Sequence, residues 1–213
     1  MATKKKPGEE FTGRNGNKVT YYLNGKLVER LIGINTNPPT VNQYSCRQAT
    51  TLISALLKPV KEYLSVGYEF EGRAAKMLPY HLAASYNYHN AISGEYPEQR
   101  IDFKKVLFSK GSMPLTDEVD AELISSGIKF TWSSLPSLHG HKLTDIVMLM
   151  AYESSRKEAF FSMGGPVRSS GSASMSLQNI KGKLVLETYI CFMSANRKSI
   201  SNSQYTGQVI WMS

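Results

Sequence analysis

The 213-residue sequence predicts an α+β N-terminal part, a β-hairpin plus two main helices, followed by an all-β sandwich. Three observations predict it. Asn24-Gly25 separates two β-rich runs near the start. Apolar residues recur at helical spacing between residues 40 and 92. From about residue 101 the period shortens to that of strands, with turn residues at close intervals. The expected division is an arm, hairpin and helical part over residues 1–100 and a sandwich over 101–213.

Residues 1–17 are polar and glycine-bearing and read as a mobile arm. The runs Lys18–Leu23 and Lys26–Leu31 flank Asn24-Gly25, a dipeptide that accepts the positive φ angles of a type I′ turn. This predicts a hairpin, and a lone hairpin is marginal in water, so it needs something to pack on. Asn35-Thr36-Asn37-Pro38-Pro39 breaks the chain. Thr40 stands three residues before Gln43 in capping-box spacing. Ala49, Leu52, Ile53, Leu56, Leu57, Val60 and Leu64 then form one apolar stripe, opposite Arg47, Thr51, Ser54, Lys58 and Lys61. Pro59 should kink or restart this helix and Gly67 should stop it. A second helix opens at Pro79, a favoured first helical position, and carries Tyr80, Ala83, Ala84, Tyr88, Ala91 and Ile92 on one face. Asn87 lies within that face and must hydrogen-bond backbone nearby, because an unsatisfied buried amide is costly. Gly94 ends the helix and Tyr96-Pro97 turns the chain.

Seven strands are expected beyond residue 101, at 105–109, 127–133, 144–152, 157–163, 172–177, 183–193 and 204–212. The run from Ile146 to Met150 is apolar at every position. One face fills the sandwich; the other must be covered by the helical part or by another subunit.

Composition and charge exclude several classes. Hydrophobic residues make up 41% of the chain and charged residues 20%, which describes a globular protein rather than a disordered one. The two cysteines, Cys46 and Cys191, are too few for a disulfide framework and read as free thiols. No apolar run follows the basic residues at the start, and no window approaches the roughly 18 apolar residues of a membrane span. The expected location is cytoplasmic, or release as part of an assembly. The net charge of +8 is spread along the chain; it favours an acidic partner without forming a dedicated nucleic-acid footprint.

No stretch reads as an active site. His139-Gly140-His141 offers two of the three or four ligands a metal needs. His81 and His89 are eight residues apart, and Ser85 holds the i+4 position that a helical zinc pair requires. Gly13-Arg14-Asn15-Gly16 feeds a hairpin and not the helix of a phosphate loop. Gly171-Ser172-Ala173-Ser174 lacks the strand–elbow–helix setting of a nucleophile. Asp117, Glu118, Asp120 and Glu122 read as a solvated acidic loop. No cofactor and no small-molecule substrate is expected.

Two resemblances add to this reading. Ile128-Lys129-Phe130-Thr131-Trp132 resembles the second strand of a fibronectin type III domain, and Thr188 to Asn196 with Ser199 to Ser203 is similar to its sixth strand and following turn. This implies a fibronectin/immunoglobulin-like sandwich over about residues 105–213, and no chemistry. Nearly end to end, the chain also resembles a family of uncharacterised proteins common in Bacteroidetes. The stretches that carry this are Gly13 to Gly16, Tyr21 to Arg30, Pro39-Thr40-Val41-Asn42-Gln43, Ser85-Tyr86-Asn87, Gly94-Glu95-Tyr96-Pro97 and Ser201-Asn202-Ser203-Gln204-Tyr205. Leu31-Ile32-Gly33 stands where many relatives have Arg-Ser-x-Pro. The resemblance implies no activity.

The expected function is a non-enzymatic structural or binding role within a larger assembly, a phage or phage-like one being a candidate. The expected partner is a protein or a second copy. The alternative is nucleic acid, because basic groups interleaved with aromatics suit phosphates and bases. Arg14, Lys18, Tyr21, Tyr22, Lys26 and Arg30 are the candidate contact residues.

Overall fold

The computed structural model of the chain describes residues 12–34, 36–116, 118–133, 142–178 and 180–212. The chain divides into two compact units, Met1–Thr40 and Val41–Ser213. The helices thus pack with the C-terminal sheets in one unit. The architecture is mixed α+β: N-terminal strands, then helices, then several antiparallel sheets.

The first unit is a three-stranded antiparallel sheet in the order β1-β2-β3, made of Gly13–Asn15 (β1), Lys18–Leu23 (β2) and Lys26–Leu31 (β3). Asn24 and Gly25 have φ of 50° and 77°, so the turn is the expected two-residue type with both central angles positive. The expected arm is corrected at its end: Gly13–Asn15 is a strand paired with β2.

The second unit opens with Val41–Leu57 (α1), a 3₁₀ turn over Lys58–Val60, Lys61–Gly67 (α2), Glu69–Ala75 (α3) and Pro79–Asn90 (α4). Pro59 restarts the helix as expected. The apolar stripe is the buried one: Ala49, Ile53, Leu56, Leu57, Val60 and Leu64 all lie inside. Gly67 ends α2 where a Cβ would meet the Phe108 carbonyl oxygen at 2.3 Å, so only glycine fits there. α3 follows instead of a loop and stops at Lys76, whose φ is +53°.

A short pair, Ile92–Ser93 (β4) with Arg100–Ile101 (β5), leads into two larger sheets. One has the order β10-β7-β6, made of Asp120–Ile124 (β6), Gly127–Thr131 (β7) and Ser172–Ser176 (β10). The other has the order β12-β11-β8-β9, made of Ile146–Glu153 (β8), Glu158–Ser162 (β9), Lys183–Met193 (β11) and Gln204–Met212 (β12). Phe130, Trp132 and Met175 share one hydrophobic cluster with Val147, Leu149, Leu186, Phe192 and Trp211. The opposite side chains of the same strands, Met148, Met150, Tyr152, Tyr189 and Cys191, join Ile53, Leu57, Tyr63 and Leu64 in a second cluster. The apolar run of β8 is therefore covered on both faces, on the second by the helices of its own chain.

Two expectations are corrected here. Residues 105–109 form no strand. Their backbone is held by side chains: Leu107 N–H donates to Asn87 Oδ1 at 2.9 Å and Phe108 N–H to Ser203 Oγ at 2.8 Å. Asn87 completes its hydrogen bonds through Nδ2 to the carbonyls of Ala83 and Leu107, both at 2.9 Å. The missing strand is β6, inside the expected acidic loop. There Glu122 faces Lys129 across the pair at 3.1 Å.

Candidate interaction surface

The two-residue turn at Asn24-Gly25 fixes the register of the N-terminal sheet, and register fixes which side chains share a face. Lys18 pairs with Leu31, Thr20 with Glu29 and Tyr22 with Leu27. Val19 pairs with Arg30, Tyr21 with Val28 and Leu23 with Lys26, while Arg14 on β1 stands opposite Val19. Alternation along each strand then divides the six candidate residues. Arg14, Tyr21, Lys26 and Arg30 lie on one face. Lys18 and Tyr22 lie on the other. For the five candidates on β2 and β3 this parity was available in the sequence, since a two-residue loop admits only one pairing; Arg14 joins them through β1, which the sequence did not predict.

The two faces differ in chemistry. The first carries three cations and no acid, around Val19, Tyr21 and Val28. The Arg30 guanidinium carbon lies 5.7 Å from the centre of the Tyr21 ring, a cation–π arrangement. Arg14 Nε donates to the Gly16 carbonyl at 3.0 Å, which holds that side chain beside the first turn. The second face is apolar with one internal ion pair. Lys18 Nζ reaches Glu29 Oε1 at 2.6 Å, and Tyr22, Leu27 and Leu31 are 53%, 41% and 65% exposed. An exposed ion pair of this kind contributes at most about 1 kcal/mol, so it tunes the charge of the face more than it stabilises the sheet.

This sheet lacks a core of its own. Among its described residues only Thr20 is buried. Among the unit's described residues no hydrophobic one is buried. β3 has no second strand partner among the described residues, so its outer edge presents unpaired backbone groups.

The other sequence candidates do not assemble into a site. His139, Gly140, His141 and Asp117 lie outside the described residues. His81 and His89 sit on α4, and no group of three metal-ligating side chains occurs among the described residues. Ser172 and Ser174 lie in strand β10. Cys46 is exposed and Cys191 buried, both free. Burial pushes the Cys191 thiol up to about 11, with hydrogen bonds to Ser109 and Tyr63 pulling the other way, so it stays protonated at neutral pH. Glu187, also buried, is held by Tyr205 Oη and Gln208 Nε2, each donating at 2.6 Å, a network that ties β11 to β12. No described helix is long and apolar enough to cross a membrane.

The model of a family of unknown function, DUF6266, matches residues 13–207. The chain belongs to this family. No curated protein and no solved structure matches it. The match to DUF6266 starts at the first residue of β1 and ends within β12. The N-terminal sheet is therefore part of the family's shared frame and not an appendage to it.

Proposed function

We propose that this DUF6266 chain is a non-enzymatic binding protein that works in a larger assembly and makes its contact through the N-terminal sheet. The observation that carries this is a sheet that buries no hydrophobic side chain while exposing Tyr22, Leu23, Leu27 and Leu31. Three strands become independently stable only when one face is packed. A partner that covers the Tyr22–Leu27–Leu31 face, or adds a strand along β3, supplies that packing. A second copy is the simplest such partner, because Lys18 and Glu29 give the face both charges and let it meet itself.

The second unit fits the same reading as a carrier. In chain order, the first, second and fifth of its seven main strands form one sheet, and the third, fourth, sixth and seventh form the other. That distribution is consistent with a fibronectin type III-like sandwich. Such frames host many functions, so the resemblance adds a scaffold and no activity.

Light scattering on the full chain over a concentration series tests the proposal. The mass should rise above the monomer with concentration. Leu27→Lys together with Leu31→Glu should abolish that rise. A full chain that stays monomeric, with the amides of β2 and β3 protected from hydrogen exchange, would show that the sheet packs within its own subunit.

Nucleic acid is the second reading, favoured by the grouping of Arg14, Lys26 and Arg30 around Tyr21 on one face. Binding of this kind weakens steeply with salt through counterion release. Replacing the three cations should flatten the slope of log affinity against log salt, and absence of any gel shift at low salt would exclude it.

A further inference from the structure

A groove runs along the outer side of α1 in the second unit. Its wider part, of about 640 Å³, is lined by Ser54, Ala55, Lys58, Pro59 and Lys157. Its narrower part, of about 280 Å³, shares Ala55 and Lys157 and continues to Gln99 and Arg100. The floor there is apolar, formed by Leu52, Leu56, Ile101, Phe103 and Tyr152. Lys58, Arg100 and Lys157 are exposed, and no acid lines either part. None of the three cations has an ion-pair partner among the described residues.

We infer that this groove is a docking site for an acidic, amphipathic peptide segment of a partner protein. Charge complementarity argues for the acidic character: three unpaired cations rim a channel that holds no negative charge. The apolar floor argues for interleaved aliphatic or aromatic side chains. A peptide fits better than a nucleic acid because Leu52 and Ile101, half-buried in the floor, are aliphatic and suit apolar side chains more than stacked bases. It also fits better than a lipid headgroup, whose polar atoms leave the apolar floor without a partner. Every lining residue of the groove belongs to the second unit.

Fluorescence anisotropy on the full chain tests this, with a short fluorescein-labelled peptide of alternating glutamate and leucine as the probe. The peptide should bind at low salt, and K58E/R100E/K157E should weaken it about tenfold or more, because the three reversals turn attraction into repulsion along the rim. K142E/R197E/K198E makes the same change in net charge at exposed residues that line neither part of the groove and should leave the affinity as it was. K157E alone, at an exposed turn, serves if the triple variant fails to fold, and should weaken binding measurably. The inference is overturned by any of three results. The probe does not bind at low salt; the groove variants bind it as the parent does; or oligothymidylate or phosphatidylserine vesicles compete for the groove as well as the unlabelled peptide.

Discussion

Removing the Arg168 side chain should be among the most damaging single changes in the second unit. Arg168 is fully buried, at 0% exposure, in a 3₁₀ turn between β9 and β10. Its guanidinium carbon lies 3.8 Å from the centre of the Phe192 ring. Nη2 donates to the Pro114 carbonyl at 3.2 Å, and Nε lies 3.6 Å from Asp145 Oδ2. Asp145 is itself 1% exposed and otherwise accepts the Lys142 N–H at 2.9 Å. Burial pushes the guanidinium pKa down and the Asp145 carboxylate opposes that; arginine stays charged in either case. Arg168→Met keeps the bulk but leaves the Asp145 charge buried and unpaired, which costs about 3–5 kcal/mol. The lost cation–π contact adds about 0.5–2 kcal/mol. This is a large share of the roughly 5–15 kcal/mol that holds a domain together. Arg168→Met with Asp145→Asn removes both charges and should recover most of the loss. Urea unfolding followed by tryptophan fluorescence suits the measurement, because both tryptophans, Trp132 and Trp211, lie in the cluster between the two sheets. If Arg168→Met falls within about 1 kcal/mol of the parent, or if the two changes simply add, the buried pair is not coupled as argued.

Trp132 packs at the same place. Its ring meets Phe192 edge-on at 6.3 Å, and its Nε1 donates to the Arg168 carbonyl at 2.7 Å. Trp132→Ala should cost about 3–5 kcal/mol, read from the urea midpoint; an unchanged midpoint would remove it as an anchor. Glu153, at the end of β8, gives a pH signature. Burial raises its pKa, but hydrogen bonds from Ser155 Oγ and the N–H groups of Arg156 and Ser155, with the Arg156 charge, outweigh this and hold it below the ordinary carboxylate value. A lowered folded pKa stabilises the fold above the ordinary carboxylate value and is lost as pH falls through the folded one. Glu153→Gln should therefore be less stable than the parent at neutral pH, with the gap closing in acid; a gap independent of pH would contradict this.

Local signals were legible and long-range ones were not. Asn24-Gly25 carries its own turn, and the stripe from Ala49 to Leu64 carries its own helix. Asn87 announced a buried amide because its neighbours on the face were apolar. The double-sided apolar run of β8 announced two covers without saying which. β1 escaped because three polar residues, Gly13–Asn15, have no periodicity to read. α3 escaped because Gly72 interrupts it; a Cβ there would meet the Met77 carbonyl oxygen at 2.9 Å. Residues 105–109 hold a short apolar run, Val106-Leu107-Phe108, like a strand, yet their partners are the side chains of Asn87 and Ser203, 20 and 95 residues away. Arg168 gave no sign of burial, since a charged residue after Gly164-Gly165-Pro166 looks like any polar turn. The six candidate contact residues were chosen by residue type; the division of the five on β2 and β3 between two faces follows only when parity is counted from the turn, and that of Arg14 only from β1.

The way the second unit covers its own sheets bears on where binding happens. The four-stranded sheet has apolar residues on both faces, and each face is occupied, one by the opposite sheet and one by α1, α2 and α4. Most of its apolar surface is thus consumed internally, with Ile210 and Met212 on the edge strand β12 left exposed. Among the described residues, five of the fifteen large exposed hydrophobic ones, Tyr22, Leu23, Leu27, Leu31 and Ile34, fall in the first unit. That unit has few described residues, and none of them is a buried hydrophobic one. Scattered apolar residues are normal on a surface; several in one small sheet with no core are not. The family match begins with β1, so this imbalance lies within the span shared by DUF6266. A sheet retained in that span without a core of its own is best accounted for by a surface that covers it, and this is why the proposed assembly contact is placed there.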